Sequence, residues 1–233
     1  NQSVNSNLIL NLTAVQMENV TGGSNSDVIT GNALANSLTG GAGNDTLIGM
    51  AGNDYYNFDT DSALGTDTIT EAVGGGADTL NFSGSTNVIT VNMGLIGNQT
   101  VNSNLTLNLT AAQVDYITGG SNNDNLTGNT LNNIFTGGAG NDALIGVAGN
   151  DSYNFDTDSA LGTDTITEAA GGGTDTLNFN GSTNAVNIDL GVIGNQTVNS
   201  NLIVNLTSTQ VENVTGGSNS DTITGNTLAN TLS

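Results

Sequence analysis

Large apolar residues recur along the chain at intervals of nine residues: Val20, Ile29, Leu38, Leu47 and Tyr56. Between them lie short turns rich in glycine, asparagine and aspartate, such as 21–27, 39–45 and 49–54. Short apolar segments separated by such turns predict β-strands, and no segment has the periodicity of a helix. Two nonapeptides would then form one coil of about 18 residues, with two strands facing each other across a thin apolar layer and the turns stacked along two edges.

A longer repeat of 97 residues is superimposed on the short one. The segment NQTVNSNL at 98–105 recurs at 195–202, and a close copy, NQSVNSNL, occupies 1–8. We predict two complete repeats, 1–97 and 98–194, and a partial third repeat, 195–233. No linker rich in proline or in serine and glycine separates them, so we expect one continuous solenoid. The chain is interpreted as a segment of a longer repetitive protein.

The nine-residue spacing loosens in the second half of each repeat. The turns 59–67 and 71–78 carry four and two extra residues. Farther on, the alternation of apolar and polar residues predicts strands near 88–92 and 105–109, with a longer turn between them. The pattern leaves open whether a repeat contains nine or ten strands.

The composition adds a strong acidic charge with no basic residue to balance it. The 233 residues include 21 Asp and Glu and no Lys, Arg or His, so the formal net charge is −21. Without basic groups the chain has nothing to meet a phosphate, which excludes nucleic acid as a partner. No segment approaches the roughly 20 apolar residues needed to cross a bilayer, so we expect no membrane insertion. Self-repulsion predicts a chain that is unfolded without metal and folded with it.

The missing residue types also limit the possible chemistry. The chain has no Cys and no His, so the usual nucleophile, general base and transition-metal ligands are absent, and we do not expect an enzyme. Carboxylates, hydroxyls and backbone carbonyls remain, and these hard oxygen ligands suit calcium.

One turn sequence carries this chemistry most clearly. The motif GGAGND, with an apolar residue two positions after the Asp, occurs at 40–47 and 137–144, and near-copies occur at 49–56 and 146–153. Its glycines permit a tight turn in which carbonyls converge, and its Asp adds a carboxylate. One turn offers about three ligands, whereas calcium takes six to eight oxygens, so two turns stacked one coil apart would complete one shell.

These residues resemble the RTX (repeats-in-toxin) family. The segments 156–177, 211–226 and 226–232 resemble RTX arrays as well, and the resemblance is weakest over 81–110 and 178–207. It implies an all-β fold, a parallel β-roll or β-solenoid with Ca²⁺ between stacked glycine–aspartate turns. It also implies that each 97-residue repeat binds several Ca²⁺ ions.

The family's ligand pattern can be carried over residue by residue. It takes the carbonyls at motif positions two and four and the Asp of one turn, with the carbonyls at positions one and three and the Asp of the next turn on that edge. One edge would then hold Gly23, Asn25 and Asp27 with Gly40, Ala42 and Asp45, and a copy formed by Gly120, Asn122 and Asp124 with Gly137, Ala139 and Asp142. The other edge would hold Asn32, Leu34 and Asn36 with Gly49, Ala51 and Asp54, and a copy formed by Asn129, Leu131 and Asn133 with Gly146, Ala148 and Asp151.

Two features of this sequence depart from that pattern. Asn36 and Asn133 stand where the motif has Asp, which either weakens a calcium site there or leaves a ladder of stacked asparagines. Further acids are expected to cap additional sites: Asp59, Asp61, Asp67, Asp78, Asp164, Asp175 and Asp221.

The resemblance implies a calcium-dependent, extracellular structural segment of a large secreted adhesin or filament, exported by type I secretion and folded by calcium outside the cell. Its partners would be calcium ions, other copies of the chain joined end to end, or cell-surface ligands. Two alternatives stay open: an RTX secretion and folding domain of a toxin or enzyme, and a solenoid that binds glycans or ice.

Overall fold

The computed structural model describes residues 7–12 and 17–233 of the chain. The first residues of the predicted first repeat, 1–6, and residues 13–16 lie outside the described residues. The described part is all β-structure, with 24 strands and no helix, as predicted. The chain divides into two compact units, residues 1–120 and 121–233.

The first unit contains two sheets built from alternating strands. The strands are β1 (Ile9–Asn11), β2 (Asn19–Thr21), β3 (Val28–Thr30), β4 (Ser37–Thr39), β5 (Thr46–Ile48), β6 (Tyr55–Asn57), β7 (Gly65–Thr70), β8 (Thr79–Asn81), β9 (Thr90–Asn92), β10 (Gly97–Thr100), β11 (Leu105–Leu109) and β12 (Tyr116–Thr118). One sheet has the order β1-β3-β5-β7-β11-β10, and strands β2, β4, β6, β8 and β12 follow one another in the other. The chain therefore crosses from one sheet to the other at almost every turn, as a β-roll does.

The strand register confirms the coil length expected from the sequence. Val28 of β3 is paired in parallel with Thr46 of β5, so one regular coil spans two nonapeptides. The next step in that sheet, from Thr46 to Thr68, is longer. On the other sheet the step from Tyr55 to Thr79 is longer as well. The two enlarged turns account for the extra length of these coils.

The apolar layer lies between the two sheets and is formed by the central residue of each short strand. Ile29, Leu38, Leu47 and Tyr56 are completely buried. In a three-residue strand the middle side chain points to one face and its neighbours point to the other, so the nine-residue apolar spacing places one side chain per strand in the core. Stacked rings belong to this layer as well; Phe58 and Phe82 lie with ring centroids 5.2 Å apart.

The predicted long turn after β9 is wrong, because it contains a further strand. Strand β10 pairs antiparallel with β11, with Gly97 opposite Leu109. The side chain of Gln99 connects β10 to the preceding strand: its amide donates to the Asn92 carbonyl at 3.0 Å, and the Asn92 N–H donates to its oxygen at 2.7 Å. Ten strands therefore run from β2 to β11. Strand β12, the copy of β2 one repeat later, lies in the same sheet as β2.

The second unit repeats this arrangement. Its strands are β13 (Asn125–Thr127), β14 (Ile134–Thr136), β15 (Ala143–Ile145), β16 (Ser152–Asn154), β17 (Gly162–Thr167), β18 (Thr176–Asn178), β19 (Asn187–Asp189), β20 (Gly194–Thr197), β21 (Leu202–Leu206), β22 (Asn213–Thr215), β23 (Thr222–Thr224) and β24 (Thr231–Leu232). Strands β14, β16, β18, β22 and β24 follow one another in one sheet, β20-β21-β17-β15-β13 form another, and β19 pairs with β23.

The repeat boundaries predicted at 98 and 195 fall within β10 and β20, and the single continuous solenoid stays a prediction. Within the described residues, no helix is long and apolar enough to span a membrane.

Candidate metal sites

The turns of each unit stack along two edges. The first edge carries the turns that follow β2, β4 and β6, and the second edge carries the turns that follow β3, β5, β7 and β11. Asp27, Asp45, Asp54, Asp78 and Asp115 stand just before the next strand, Asn36 takes this position after β3, and Asp67 lies in β7. Successive coils therefore place these side chains one above another.

On the first edge these acids form a ladder of hydrogen bonds. The N–H of Asp27 donates to Oδ1 of Asp45 at 2.7 Å, and the N–H of Asp45 donates to Oδ1 of Asp67 at 2.9 Å. The N–H of Leu8 donates in the same way to Oδ1 of Asp27 at 2.7 Å. Each carboxylate therefore uses one oxygen to hold the coil before it, and its second oxygen is left for the turn.

The second edge carries an equivalent ladder. The N–H of Asn36 donates to Oδ1 of Asp54 at 2.7 Å, and the N–H of Asp54 donates to Oδ1 of Asp78 at 2.9 Å. The ladder continues to Asp115, whose Oδ2 accepts from the N–H of Asp78 at 3.0 Å. Asp115 was not among the predicted site residues.

The second unit repeats both ladders at nearly the same distances. On the first edge the N–H of Asp124 donates to Oδ1 of Asp142 at 2.8 Å, and the N–H of Asp142 donates to Oδ1 of Asp164 at 2.9 Å. On the second edge the N–H of Asn133 donates to Oδ1 of Asp151 at 2.7 Å, and the N–H of Asp151 donates to Oδ1 of Asp175 at 2.8 Å. The N–H of Asp175 donates to Oε2 of Glu212 at 2.8 Å. Farther along, Oδ1 of Asp221 accepts from the N–H of Val186 at 2.8 Å.

The second oxygen of four of these carboxylates has no hydrogen-bond partner although it is buried. The four atoms are Oδ2 of Asp45, Asp54, Asp142 and Asp151. A buried anionic oxygen without a donor is costly, and the chain has no Lys, Arg or His that could supply one. A hard cation bound to these oxygens would remove that cost, so the residues present fit calcium.

Backbone carbonyls converge on these carboxylates because the turns lack side chains. A Cβ added to Gly22 would collide with both the Gly40 carbonyl oxygen and Oδ2 of Asp27, and a Cβ added to Gly41 would collide with the Gly23 carbonyl oxygen. At Gly43 the added atom would lie 2.8 Å from the Asn25 carbonyl oxygen. The structure thus brings together the turns that contain most of the first predicted ligand set.

The second edge shows the same close approach of two turns. A Cβ at Gly31 would meet Oδ1 of Asn36 and the carbonyl oxygen of Gly49, and one at Gly52 would meet the Leu34 carbonyl oxygen. In the second unit the corresponding carbonyls of this edge are those of Gly146 and Leu131, approached by Gly128 and Gly149 respectively, and on the first edge Gly140 approaches the Asn122 carbonyl. Gly120 belongs to the first unit, and its predicted part in the site with Asp142 stays a prediction.

The predicted alanine ligands occupy the same turns. The Ala42 N–H donates to the Gly23 carbonyl at 3.0 Å, and the Ala51 N–H donates to the Asn32 carbonyl at 3.4 Å. Ala139 and Ala148 lie in the turns before β15 and β16. Gly137 contacts Oδ2 of Asp142 closely enough that it could carry no side chain.

The asparagines that replace Asp form local bonds within their own turn. Oδ1 of Asn36 accepts from the Asn32 N–H at 2.8 Å, and its amide donates to Oδ1 of Asn32 at 3.5 Å. Asn133 and Asn129 repeat these two bonds at 2.8 Å and 3.3 Å. Asp27 accepts similarly from the Gly23 N–H at 2.7 Å, so Asn36 keeps the shape of the turn and loses its charge.

The enlarged turn of the first edge leaves a cavity beside the ladder. In the first unit it measures about 180 Å³ and is lined by Gly41, Ala42, Asp59, Leu64 and Asp67, among others. Its copy in the second unit measures about 290 Å³ and includes Gly137, Ala139 and Asp164 in its lining. Asp67 and Asp164 therefore stand next to turns that carry predicted ligands.

The second edge contains an acid that our sequence analysis missed. Glu71 directly follows β7 and begins the turn that Asp78 ends. Its carboxylate lies close to that of Asp78 and to that of Asp54 in the preceding coil. Oxygen atoms of these three residues lie within 4.8 Å of one another, and all three residues are buried. Asp151, Glu168 and Asp175 form the same group in the second unit. We call each group a carboxylate triad.

A tyrosine hydroxyl contacts the glutamate of each triad. Tyr56 donates a short hydrogen bond to Oε1 of Glu71, and Tyr153 donates one to Oε1 of Glu168.

One feature of the sequence could have identified Glu71 and its copy Glu168 as site residues. Each complete copy of the enlarged turn 71–78 begins with Glu, in a chain whose other turn acids are mostly Asp.

Burial makes these carboxylates hard to ionise in the absence of a cation. It raises the pKa of Asp54 and Asp142 to about 6 and that of Asp67, Asp151 and Asp164 to about 7. It also raises the pKa of Asp45, Asp78 and Asp175 above the ordinary value. The pKa of Glu71 and Glu168 rises to about 8, first through burial and then through the neighbouring Asp charges. A bound cation would reverse this effect, since it stabilises the ionised form.

The stacked parallel coils and the carboxylate ladders together define a calcium-binding parallel β-roll. Residues 21–56 and 115–153 match the family model of the RTX calcium-binding nonapeptide repeat, in four copies. The chain is therefore a calcium-binding repeat protein that carries RTX nonapeptide repeats, and these repeats bind Ca²⁺. A comparison with curated protein sequences gives no match.

Proposed function

We propose that this chain is a calcium-dependent extracellular structural segment of a large secreted adhesin or filament, without a catalytic role of its own. The observation that carries the proposal is the row of buried, unpartnered carboxylate oxygens along both edges. The ligands we propose are the carbonyls and carboxylates of the stacked turns predicted from the sequence, including Gly120, and the capping acids Asp67, Asp78, Asp164, Asp175 and Asp221.

The ladders couple calcium binding to the stacking of coils. In Asp45, one carboxylate oxygen accepts from the N–H of Asp27 in the coil before, while the other is left for a cation. The same side chain would therefore hold the metal and join two coils. A cation at each step would stabilise the whole roll, which suits a segment that transmits load or sets a distance.

The charge of the chain supports folding outside the cell. At the submicromolar calcium of a cytosol, 21 acids repel one another and the buried carboxylates have no counter-ion. Such a chain would stay unfolded and fit export as an unfolded polypeptide. At the millimolar calcium of an extracellular medium, binding energy becomes folding energy.

The long tandem repeat favours a stalk, spacer or filament over a toxin's export domain. Each 97-residue repeat alternates nonapeptide coils with enlarged turns and an antiparallel hairpin, whereas an export domain is expected to carry a denser run of plain nonapeptides. Association with other copies of the chain, and contact with cell-surface ligands, belong to the same proposal.

The proposal can be tested by small-angle X-ray scattering and sedimentation velocity on the chain at submicromolar and millimolar calcium, with magnesium as the control. We expect an expanded coil at low calcium and a folded particle at millimolar calcium, either monomeric as a spacer or polymeric as a filament. A compact particle at both concentrations would refute the structural switch. A folded chain that does not associate, but binds a glycan or ice in a screen, would favour the ligand-binding alternative.

A further inference from the structure

The carboxylate triads are unlike the nonapeptide turns. A nonapeptide site draws its charge from the Asp residues that end two stacked turns, and where Asn36 ends one of them only a single carboxylate remains. The triad adds Glu71, which begins an enlarged turn instead of ending one, so three carboxylates meet in one place. Its three members are 93% buried or more.

Unpartnered oxygens point into each triad. A Cβ added at Gly49 would collide at once with Oδ2 of Asp54, Oε1 of Glu71 and the Tyr56 hydroxyl, so these atoms surround one point. Oδ2 of Asp54 is buried there and has no hydrogen-bond partner. In the second unit both Oδ2 of Asp151 and Oε2 of Glu168 are buried without a partner.

Three buried carboxylates at this separation must either take up protons or bind a cation. Like charges this close cannot all stay ionised in a dry site, and no basic side chain exists to pair with them. Oxygen-only ligands with three negative charges suit a hard cation of charge two or three. Because the affinity of calcium sites rises with the number of charged ligands, this site should bind more tightly than the nonapeptide sites.

We propose that Asp54, Glu71 and Asp78, and their copies Asp151, Glu168 and Asp175, form a three-carboxylate calcium site in each 97-residue repeat. This site takes Asp54 or Asp151 from a nonapeptide turn and fills before the other sites. The buried tyrosine acts as a positioning residue, because its hydroxyl donates to the glutamate and fixes that carboxylate against Gly49 or Gly146. This inference rests on calcium binding by the chain and is independent of its secreted, structural role.

Tyrosine-sensitised terbium luminescence tests the site, because Tb³⁺ replaces calcium at hard oxygen ligands and the chain has no Trp. In the wild-type chain we expect emission excited through tyrosine to saturate near two equivalents of Tb³⁺, one for each triad. In the variant Glu71→Gln/Glu168→Gln, half-saturation should need at least about tenfold more Tb³⁺. Equilibrium dialysis should show two fewer tight calcium ions per chain.

A matched control removes the same charge elsewhere. The variant Asp59→Asn/Asp156→Asn neutralises two exposed acids of the other enlarged turn and should leave the first two equivalents unchanged. Unchanged tight binding in the glutamate variant would overturn the proposal, and so would equal losses in both variants.

A second variant covers the case in which the glutamate variant fails to fold. Tyr56→Phe/Tyr153→Phe keeps every carboxylate but removes the hydroxyl that positions the glutamate. It should therefore still bind two calcium ions, about tenfold more weakly, and lose most of the sensitised emission. Full emission from this variant would place Tb³⁺ away from the triads and refute the site. Circular dichroism of the wild-type chain distinguishes the proposed calcium-dependent folding from the proposed triad site. A chain that is folded without calcium would refute calcium-dependent folding, whereas the terbium experiment tests only calcium binding at the triads.

Discussion

Replacing Asp142 by Asn should change the stability of the calcium-free and calcium-bound chains in opposite directions. Oδ1 of Asp142 accepts from the Asp124 N–H, and an Asn can keep that bond. Oδ2 is buried without a partner and lies against Gly137, and an Asn would place a neutral amide there. Asn133 shows that the chain tolerates Asn at the end of such a turn, since its amide donates to Asn129.

The size of the calcium-free effect follows from the pKa of Asp142. Burial raises that pKa from 3.8 to about 6. Since one pKa unit corresponds to about 1.4 kcal/mol, charging Asp142 at neutral pH costs the calcium-free fold up to about 3 kcal/mol, and Asn removes that cost. With calcium the same change removes a charged ligand, so the calcium concentration at the folding midpoint should rise at least about tenfold, or about 1.4 kcal/mol.

Circular dichroism can measure both effects in one series. The calcium-free fold would be titrated with an osmolyte that favours compact states, and the calcium-bound fold with calcium. Asp156→Asn is the matched control, because it removes an exposed charge from the same unit. If Asp142→Asn destabilises the chain under both conditions, or stabilises it under both, then Oδ2 of Asp142 does not face a cation and the reasoning is wrong.

Three further predictions concern the turns, the core and pH. Gly40→Ala places a methyl group against Oδ2 of Asp45 and should weaken calcium-dependent folding by roughly 1–3 kcal/mol in calcium titrations, whereas a normal midpoint would show that the turn is not tightly closed. Leu144→Ala empties a fully buried core position and should cost about 2–5 kcal/mol in chemical denaturation with calcium present, while Leu228→Ala, at a 39% exposed site, should change stability by less than about 0.5 kcal/mol. The calcium-free chain should gain β-structure on acidification. The folded-state pKa values of the ladder acids lie above the unfolded ones, so their protonated forms stabilise the fold fully below about pH 4, and that contribution is lost as pH rises through about 7. A chain freed of metal by dialysis and followed by circular dichroism from acid to neutral pH would contradict this if its β-structure increased with pH.

The regular part of the fold could be predicted from the sequence, because one apolar residue in every nine marks the centre of each short strand. Leu47 lies in the core and the following glycine turn reverses the chain, so period and sheet alternation follow from simple spacing. Strand β10 escaped prediction because its sequence, GNQT, has no apolar alternation. The side-chain amide of Gln99 connects it to Asn92 through two hydrogen bonds, and the alternation of apolar and polar residues does not reveal such bonds.

The candidate sites were predictable only as far as the motif extends. The Asp that ends a turn can be read from the sequence, and the ladders place Asp45 and Asp54 as the stacking of coils requires. Glu71 could not be placed by the motif, because it lies two strands beyond Asp54 and reaches the site from the start of an enlarged turn. The register of β6 and β8 brings Asp78 beside Asp54, and the register of β5 and β7 brings Glu71 beside Gly49.

The most direct test of the account is a calcium titration of the metal-free chain at neutral pH, followed by far-UV circular dichroism, with magnesium as the control. Calcium should convert a disordered spectrum into a β-rich one in the millimolar range or below, and magnesium should not, because it is smaller and demands stricter octahedral geometry. A fully β-folded spectrum in excess chelator would contradict the central claim, since the apolar layer and the hydrogen-bond ladders would then build the roll without a cation.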